Sequence, residues 1–274
     1  MSAVTLERPA SRRAPRPFLP LVSADLLKLR KRRGLVATVT AMTVGASIVT
    51  YGVLAILHAV NPAHHGPAGG TVNLGHGMFV LTLLGSVAAT IVGASAGASD
   101  LGAGVFRELV VTGRSRAALF ASRIPGGLAF LLPLVAAGYA LAAVAAVVFA
   151  GTLPVPTTTL LVESGLWLVG SAALFYVLAV GVASAIGSRT QTVGILLAFR
   201  LAVAPILASI GALGVGRELL PNTALLHFAP AAVQRFLTQG PDIPTSAAAA
   251  VAVIAAWIAV PVLVGVWRTM TRDA

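Results

Sequence analysis

The stretch GLVATVTAMTVGASIVTYGVLAI, residues 34–56, carries no charged side chain. As an α-helix its roughly 23 residues span about 34 Å, enough to cross the hydrocarbon core of a bilayer. Its setting is equally one-sided. The 274-residue chain is 57% hydrophobic and 10% charged, with a mean hydropathy of +0.93. Soluble domains carry about a quarter charged residues, so composition alone makes the bilayer the solvent. The first span is placed at about 35–57, and five further segments have span length, at about 77–97, 124–150, 164–186, 192–215 and 246–267. The expected fold is an all-α integral membrane protein with six transmembrane helices.

Charge position sets the orientation. Nine Lys and Arg precede the first span, four (Arg107, Arg114, Arg116, Arg123) follow the second, Arg189 follows the fourth, and Arg268 and Arg272 follow the sixth. Sixteen of the 19 cations thus fall on one side, with Arg217 and Arg235 opposite and Arg200 inside the fifth span. The positive-inside rule places both termini in the cytoplasm. The net charge of +11 therefore lines a membrane face rather than a nucleic-acid reader, and no nucleic acid is expected as a partner. All five His fall at or beyond the opposite face. Residues 1–22 read as a cytoplasmic tail and 23–270 as one six-span domain. Basic residues run to Arg33 ahead of a span-length apolar run, so the first span reads as retained rather than as a cleaved signal. The chain has no Cys, which removes disulfides and thiolate metal sites.

The loop after the second span carries the functional question. It reads IVGASAGASDLGAGVFRELVVTGRSRAALFASR, residues 91–123. The G-x-S-x-G string at Gly93, Ser95 and Gly97 lacks the strand-turn-helix setting of a nucleophile elbow, and every His lies about a membrane thickness away. Gly102 and Gly104 begin a G-x-G that Arg107 interrupts. No G-x-x-x-x-G-K-[ST] occurs, so the chain carries no P-loop. The remaining reading is mechanical, with the second span ending in small residues and Asp100 marking emergence into water. AGVFRELVV sets Val105, Phe106, Leu109 and Val110 at helical spacing beside Arg107 and Glu108, which predicts a short amphipathic helix broken at Gly113. The plainer alternative is a loop whose arginines only hold topology.

This stretch resembles the second cytoplasmic loop of ATP-binding-cassette type-2 membrane permeases, particularly actinobacterial-like ones. That loop has an acidic residue before a Gly, a short helix with a leucine, a small-residue turn, an Arg, and a basic residue leading into the third span. Here the roles fall to Asp100, Gly102 or Gly104, Leu109, Thr112 with Gly113, Arg116 and Arg123. Gly113 stands where the family often has Pro, and Arg123 where it often has Lys. SADLLKLRKRRGLV (23–36) is similar to the family's amphipathic N-terminal helix along the inner leaflet, with Leu26, Leu27 and Leu29 toward acyl chains and Lys28, Arg30, Lys31 and Arg32 toward headgroups. LLPNTALLHFAPAAVQRFL (219–237), broken at Pro221 and Pro230, resembles its short external re-entrant helices.

The resemblance implies a transmembrane permease subunit of an ATP-driven exporter in a bacterial plasma membrane, performing no chemistry itself. It forms the translocation pathway and couples through residues 98–123 to a separate P-loop ATPase subunit. Asp100, Gly104, Arg107, Glu108, Arg114 and Arg116 are the expected coupling residues. No cofactor is bound by this chain; ATP and Mg belong to the ATPase. A second permease, identical or homologous, and membrane lipids complete the partners. The alternative is an ATP-independent membrane scaffold or immunity protein that binds lipid or peptide.

Some residues stand outside this frame. Arg200 lies about eight residues into the fifth span, where a charge costs at least ~2.5–3.5 kcal/mol and points to function. It either lines the pathway or a subunit interface, or snorkels toward the cytoplasm past Gln191 and Thr192, or is held in a structural pairing. Glu163 starts the fourth span too far away to pair with it. His64, His65 and His76 lie in a turn-rich external segment without a carboxylate or Cys, which favours a solvated loop over a metal site. Pro133, Pro205 and Pro261 are expected to kink their spans, and the small-residue runs GASAG and GVASAIG to allow close helix approach. Because the chain has no Cys, topology is testable without background. His65→Cys should react with a membrane-impermeant maleimide on intact cells, and Thr271→Cys only after permeabilisation.

Overall fold

A computed structural model describes residues 18–102, 104, 106–111, 113–238, 243 and 245–271. The expected tail therefore lies outside the described residues up to 17. Among the described residues the chain is helical, without strands, and six helices are long and apolar enough to span a membrane. Helix α1 (Leu19–Lys31) starts four residues before the expected position, with Pro20 in its first turn, and ends at Arg32, whose ψ of 82° breaks the run. The first span is α2 (Arg33–Val60) and the second is α3 (Gly70–Gly102). Short α4 (Phe106–Val111) follows, then α5 (Arg116–Val148) and α6 (Thr158–Ile186). Ser115, Thr157 and Ser188 cap the N-termini of α5, α6 and the fifth span by accepting from backbone N–H groups three residues on. Gly187, at φ 83°, closes α6.

The fifth span, α7 (Arg189–Ser209), ends six residues before the expected 215. The glycines at 211, 214 and 216 convert its continuation to a 3₁₀ segment (Gly211–Leu219), with Gly214 at φ 49° inside it. Two short helices follow, α8 (Pro221–His227) and α9 (Ala231–Leu237), parted at Pro230 as the sequence indicates. The last span is α10 (Ala247–Thr271).

Helices α3 and α6 pack along each other and are the most enclosed spans; α7 and α10 are the least. The small-residue runs make this approach possible. A Cβ on Gly93 would lie 2.5 Å from the Tyr176 carbonyl, and one on Gly97 2.6 Å from that of Val180. Gly181 in turn receives Pro261 of α10. With no hydrophobic drive between helices in lipid, such close backbone contact supplies dispersion that larger residues would forfeit.

The two ends of α3 meet different partners. Near its C-terminus α1 packs on α5, because Gly126 leaves room for Asp25 and the Val22 carbonyl. Near its N-terminus Phe236 of α9 rests on Gly75 and His76, while the Trp167 indole of α6 donates to the Leu225 carbonyl at 2.8 Å.

Overpacking a close helix contact costs about 1–3 kcal/mol. Gly93→Ala should therefore lower the thermal midpoint of detergent-solubilised protein. Gly85→Ala, on the same helix with open space around its would-be Cβ, should leave it unchanged.

Candidate functional site

Two charged centres stand out, one at each half of α3. The first gathers at the α1 end. Asp100 is 8% exposed and Arg123 2%. Arg123 Nη2 lies 3.3 Å from Asp100 Oδ2, and its Nη1 donates to the Gly97 carbonyl at 2.9 Å and to Ser184 Oγ at 3.3 Å. Lys28 Nζ bridges Asp25 and Asp100, 3.2 Å from each. Ser122 Oγ donates to Asp25 Oδ2 at 2.6 Å, and the Tyr176 hydroxyl to the Arg123 carbonyl at 2.5 Å. One network thus ties α1, the end of α3, the start of α5 and α6.

This revises three sequence expectations. Asp100 does not mark emergence into water; it is buried against a cation. Arg123 is not merely the basic lead into the third span but that cation. Lys28, expected at headgroups, turns toward two carboxylates, and Leu29 is 4% exposed inside the protein while Leu27, at 50%, faces outward. The physical reason is shared: a carboxylate this deep needs paired charge, and α1 is close enough to provide some. The sequence signal was that Asp25 and Asp100 are rare acids, among eight in all, on the strongly basic side.

The remaining predicted coupling residues spread outward from this network. Gly104, at φ 70°, sits in an exposed turn. Glu108 is exposed on α4, Arg114 half-buried beyond it, and Arg116 donates from Nη1 to the Met270 carbonyl of α10 at 3.0 Å. Arg107 belongs to α4, but its side chain lies outside the described residues, as do those of Phe106 and Leu109, and Thr112 entirely. Ser95, at 0% exposure, donates to the Ile91 carbonyl of its own helix at 2.7 Å.

The second centre is Arg200. It sits in a π-helical turn, Phe199–Val203, within α7. Pro205 has no N–H to return to the Leu201 carbonyl, which favours such a widened turn. The guanidinium does not snorkel back past Gln191. Nε donates to Ser86 Oγ at 2.5 Å, Nη1 to Asn222 Oδ1, and Nη2 to the Thr82 carbonyl at 3.5 Å, with Cζ 4.1 Å above the Phe175 ring. Ser86 is the middle residue of the 33-residue α3, so the charge rests at mid-span. It borders a cleft of about 380 Å³ between α3, α6, α7 and the α8–α9 pair. Asn222, the partner that sequence reading missed, lies on the short helix α8, 22 residues beyond Arg200, and gave no periodic signal.

Of the histidines, His58 Nδ1 lies 2.7 Å from the His65 carbonyl and His64 Nδ1 3.1 Å from Asn61 Oδ1. His76 meets the Phe236 ring edge-on at 4.8 Å. Among the described residues no three metal-ligating side chains converge.

Fold and centres together define a multi-pass helical membrane protein. The chain matches no protein-family model, and a search of curated proteins returns no match.

Breaking a buried ion pair costs about 3–5 kcal/mol because one charge is left unmatched. Asp100→Ala should lower thermal stability by that order. Asp100→Ala/Arg123→Met should recover at least half of the loss, measured by unfolding in the same detergent.

Proposed function

We propose that this chain is the membrane-spanning permease subunit of an ATP-driven exporter, sited in a bacterial plasma membrane with both termini cytoplasmic. The observation that carries the reading is the Asp100–Arg123 pair with its Lys28 bridge. It joins the two roots of the loop bearing α4, the end of α3 and the start of α5, and secures both to α1. A force on α4 would then displace two spans as a unit instead of splaying the loop. A purely topogenic loop has no need of such an anchor.

A separate P-loop ATPase, carrying ATP and Mg, would dock beneath Gly104, Glu108 and Arg114, with Arg107 on the same short helix. Charge-assisted hydrogen bonds are the natural contact between such side chains and a partner. Arg116 secures the loop to the end of α10. The weak enclosure of α7 and α10 leaves faces for a second permease, identical or homologous, and for lipid. The α8–α9 pair would form the external re-entrant element that closes the pathway. The chain itself would hydrolyse nothing.

The test is affinity purification of the tagged protein from detergent after co-expression with the P-loop ATPases encoded beside it. Wild type should retain one ATPase in stoichiometric amount, identified by mass spectrometry. Arg107→Glu/Arg114→Glu should reduce its recovery at least tenfold while leaving yield and elution volume unchanged. Equal recovery with both forms would remove the loop assignment. No ATPase on the wild type would sink the exporter and favour an ATP-independent scaffold or immunity protein.

A further inference from the structure

The two deep arginines differ in one respect. Arg123 has a carboxylate against it. Arg200 has only neutral partners: a serine hydroxyl, an asparagine carbonyl, a backbone carbonyl and an aromatic face. None of the ion pairs among the described residues includes it. Glu163, the acid of the adjoining helix, lies twelve residues before Phe175 on α6, roughly 18 Å along the axis. A permanent cation therefore stands at mid-span with dipoles around it and no counter-charge.

The space beside it is shaped for something apolar. Phe79, Trp167, Phe175, Leu201 and Leu226 form much of the wall of the 380 Å³ cleft, and Gln234 and Thr238 lie toward its α9 side. That volume is at the lower end of the range for small-molecule sites, which are mostly apolar with a few placed polar groups. It has room for one chain of an amphiphile rather than a two-chain lipid. An inorganic anion alone would leave the aromatic wall unused, and a neutral hydrocarbon would leave the guanidinium unmatched.

We infer that this cleft is a binding site for a single-chain amphipathic anion, its carboxylate or phosphate head on Arg200 and its tail along Phe175, Trp167 and Leu226. The π-turn at Phe199–Val203 serves the site by turning Arg200 off the lipid-facing side of α7 into the cleft. Asn222, on α8, holds the guanidinium from the other side, so the α8–α9 pair forms one wall of the site and fixes its charged corner. The site stands independently of ATP coupling, since nothing in it involves α4 or the Asp100 network. Binding is accordingly measured without ATP or any partner subunit.

The probe is quenching of Trp167 by brominated amphiphiles, in a Trp257→Phe/Trp267→Phe background that leaves Trp167 as the remaining indole of the three in the chain. The purified full chain in neutral detergent is titrated with brominated dodecanoate, brominated dodecyl phosphate and brominated dodecanol. At least one of the two anions should quench at a tenfold or more lower concentration than the alcohol. Which anion does so separates a fatty-acid from a phospholipid-type head. Arg200→Gln should erase the preference for the anion. Asn222→Asp should erase it too, while keeping Arg200 and the fold, because it gives the cation an internal carboxylate. Equal quenching by anion and alcohol in the parent protein would overturn the proposal. So would a preference that survives Asn222→Asp, displacement by millimolar inorganic phosphate alone, or no quenching at all, as expected if a second copy seals the cleft.

Discussion

The contact of α3 with α6 is the constraint on which the other elements depend. In a bilayer the lipid tails are as apolar as any side chain, so helices associate through close packing and polar contacts rather than through escape from water. Gly93 and Gly97 bring the α3 backbone against Tyr176 and Val180. That proximity sets Gly97's carbonyl and Ser184 within reach of one guanidinium. It also fixes Ser86 and Phe175 where they embrace another. Larger residues at 93 and 97 would part the helices and dissolve both charged centres together.

The two arginines illustrate how one residue type can serve two ends in lipid. Arg123 is matched by Asp100, held further by the Gly97 carbonyl and by Ser184, and sits beneath a tyrosine hydroxyl on its own carbonyl. Its charge is consumed internally, which suits an anchor. Arg200 is solvated by dipoles and a ring but retains its net charge beside an open cleft. A buried ion is tolerated at the cost of several kcal/mol unless matched. An unmatched one beside an apolar wall is a standing attraction for an anion that brings its own hydrocarbon.

Much of this was legible from residue order. Span-length apolar runs marked all six helices, but the second, third and fourth begin six to eight residues before the expected 77, 124 and 164. Polar and small residues at their ends extend the helix beyond the apolar run, and the fifth stops short where glycines intervene at 211–216. Pro221 and Pro230 marked the paired short helices, and GASAG the close contact. The charged centres were not legible. Lys28 and Asp100 are 72 residues apart, Arg200 and Ser86 114. No periodicity links such positions, and only the folded arrangement of helices brings them together. Arg200 was conspicuous as a charge in a span, yet the direction of its side chain depended on a π-turn that helical periodicity does not announce.

The geometry of α3 connects the two centres in a way neither alone would require. Its 33 residues, about 50 Å of helix, contain no proline, whereas α5 carries Pro125 and Pro133 and α7 is interrupted by its π-turn. Asp100 sits near one end of this stiff element and Ser86 at its middle. Under the proposed function, a tilt of α3 imposed at Asp100 would be carried along the helix to Ser86, whose hydroxyl accepts from Arg200 in the π-turn of α7. Coupling between sites rests on an element with two arrangements rather than on proximity. A π-turn is a place where a helix can change register with little backbone rearrangement, and the described residues hold two, Phe199–Val203 in α7 and Ala41–Gly45 in α2. Under the proposed function, movement of the ATPase-facing loop would therefore be felt first as a change in how Arg200 is held. The strength of an anion's grip in the cleft would follow from that change.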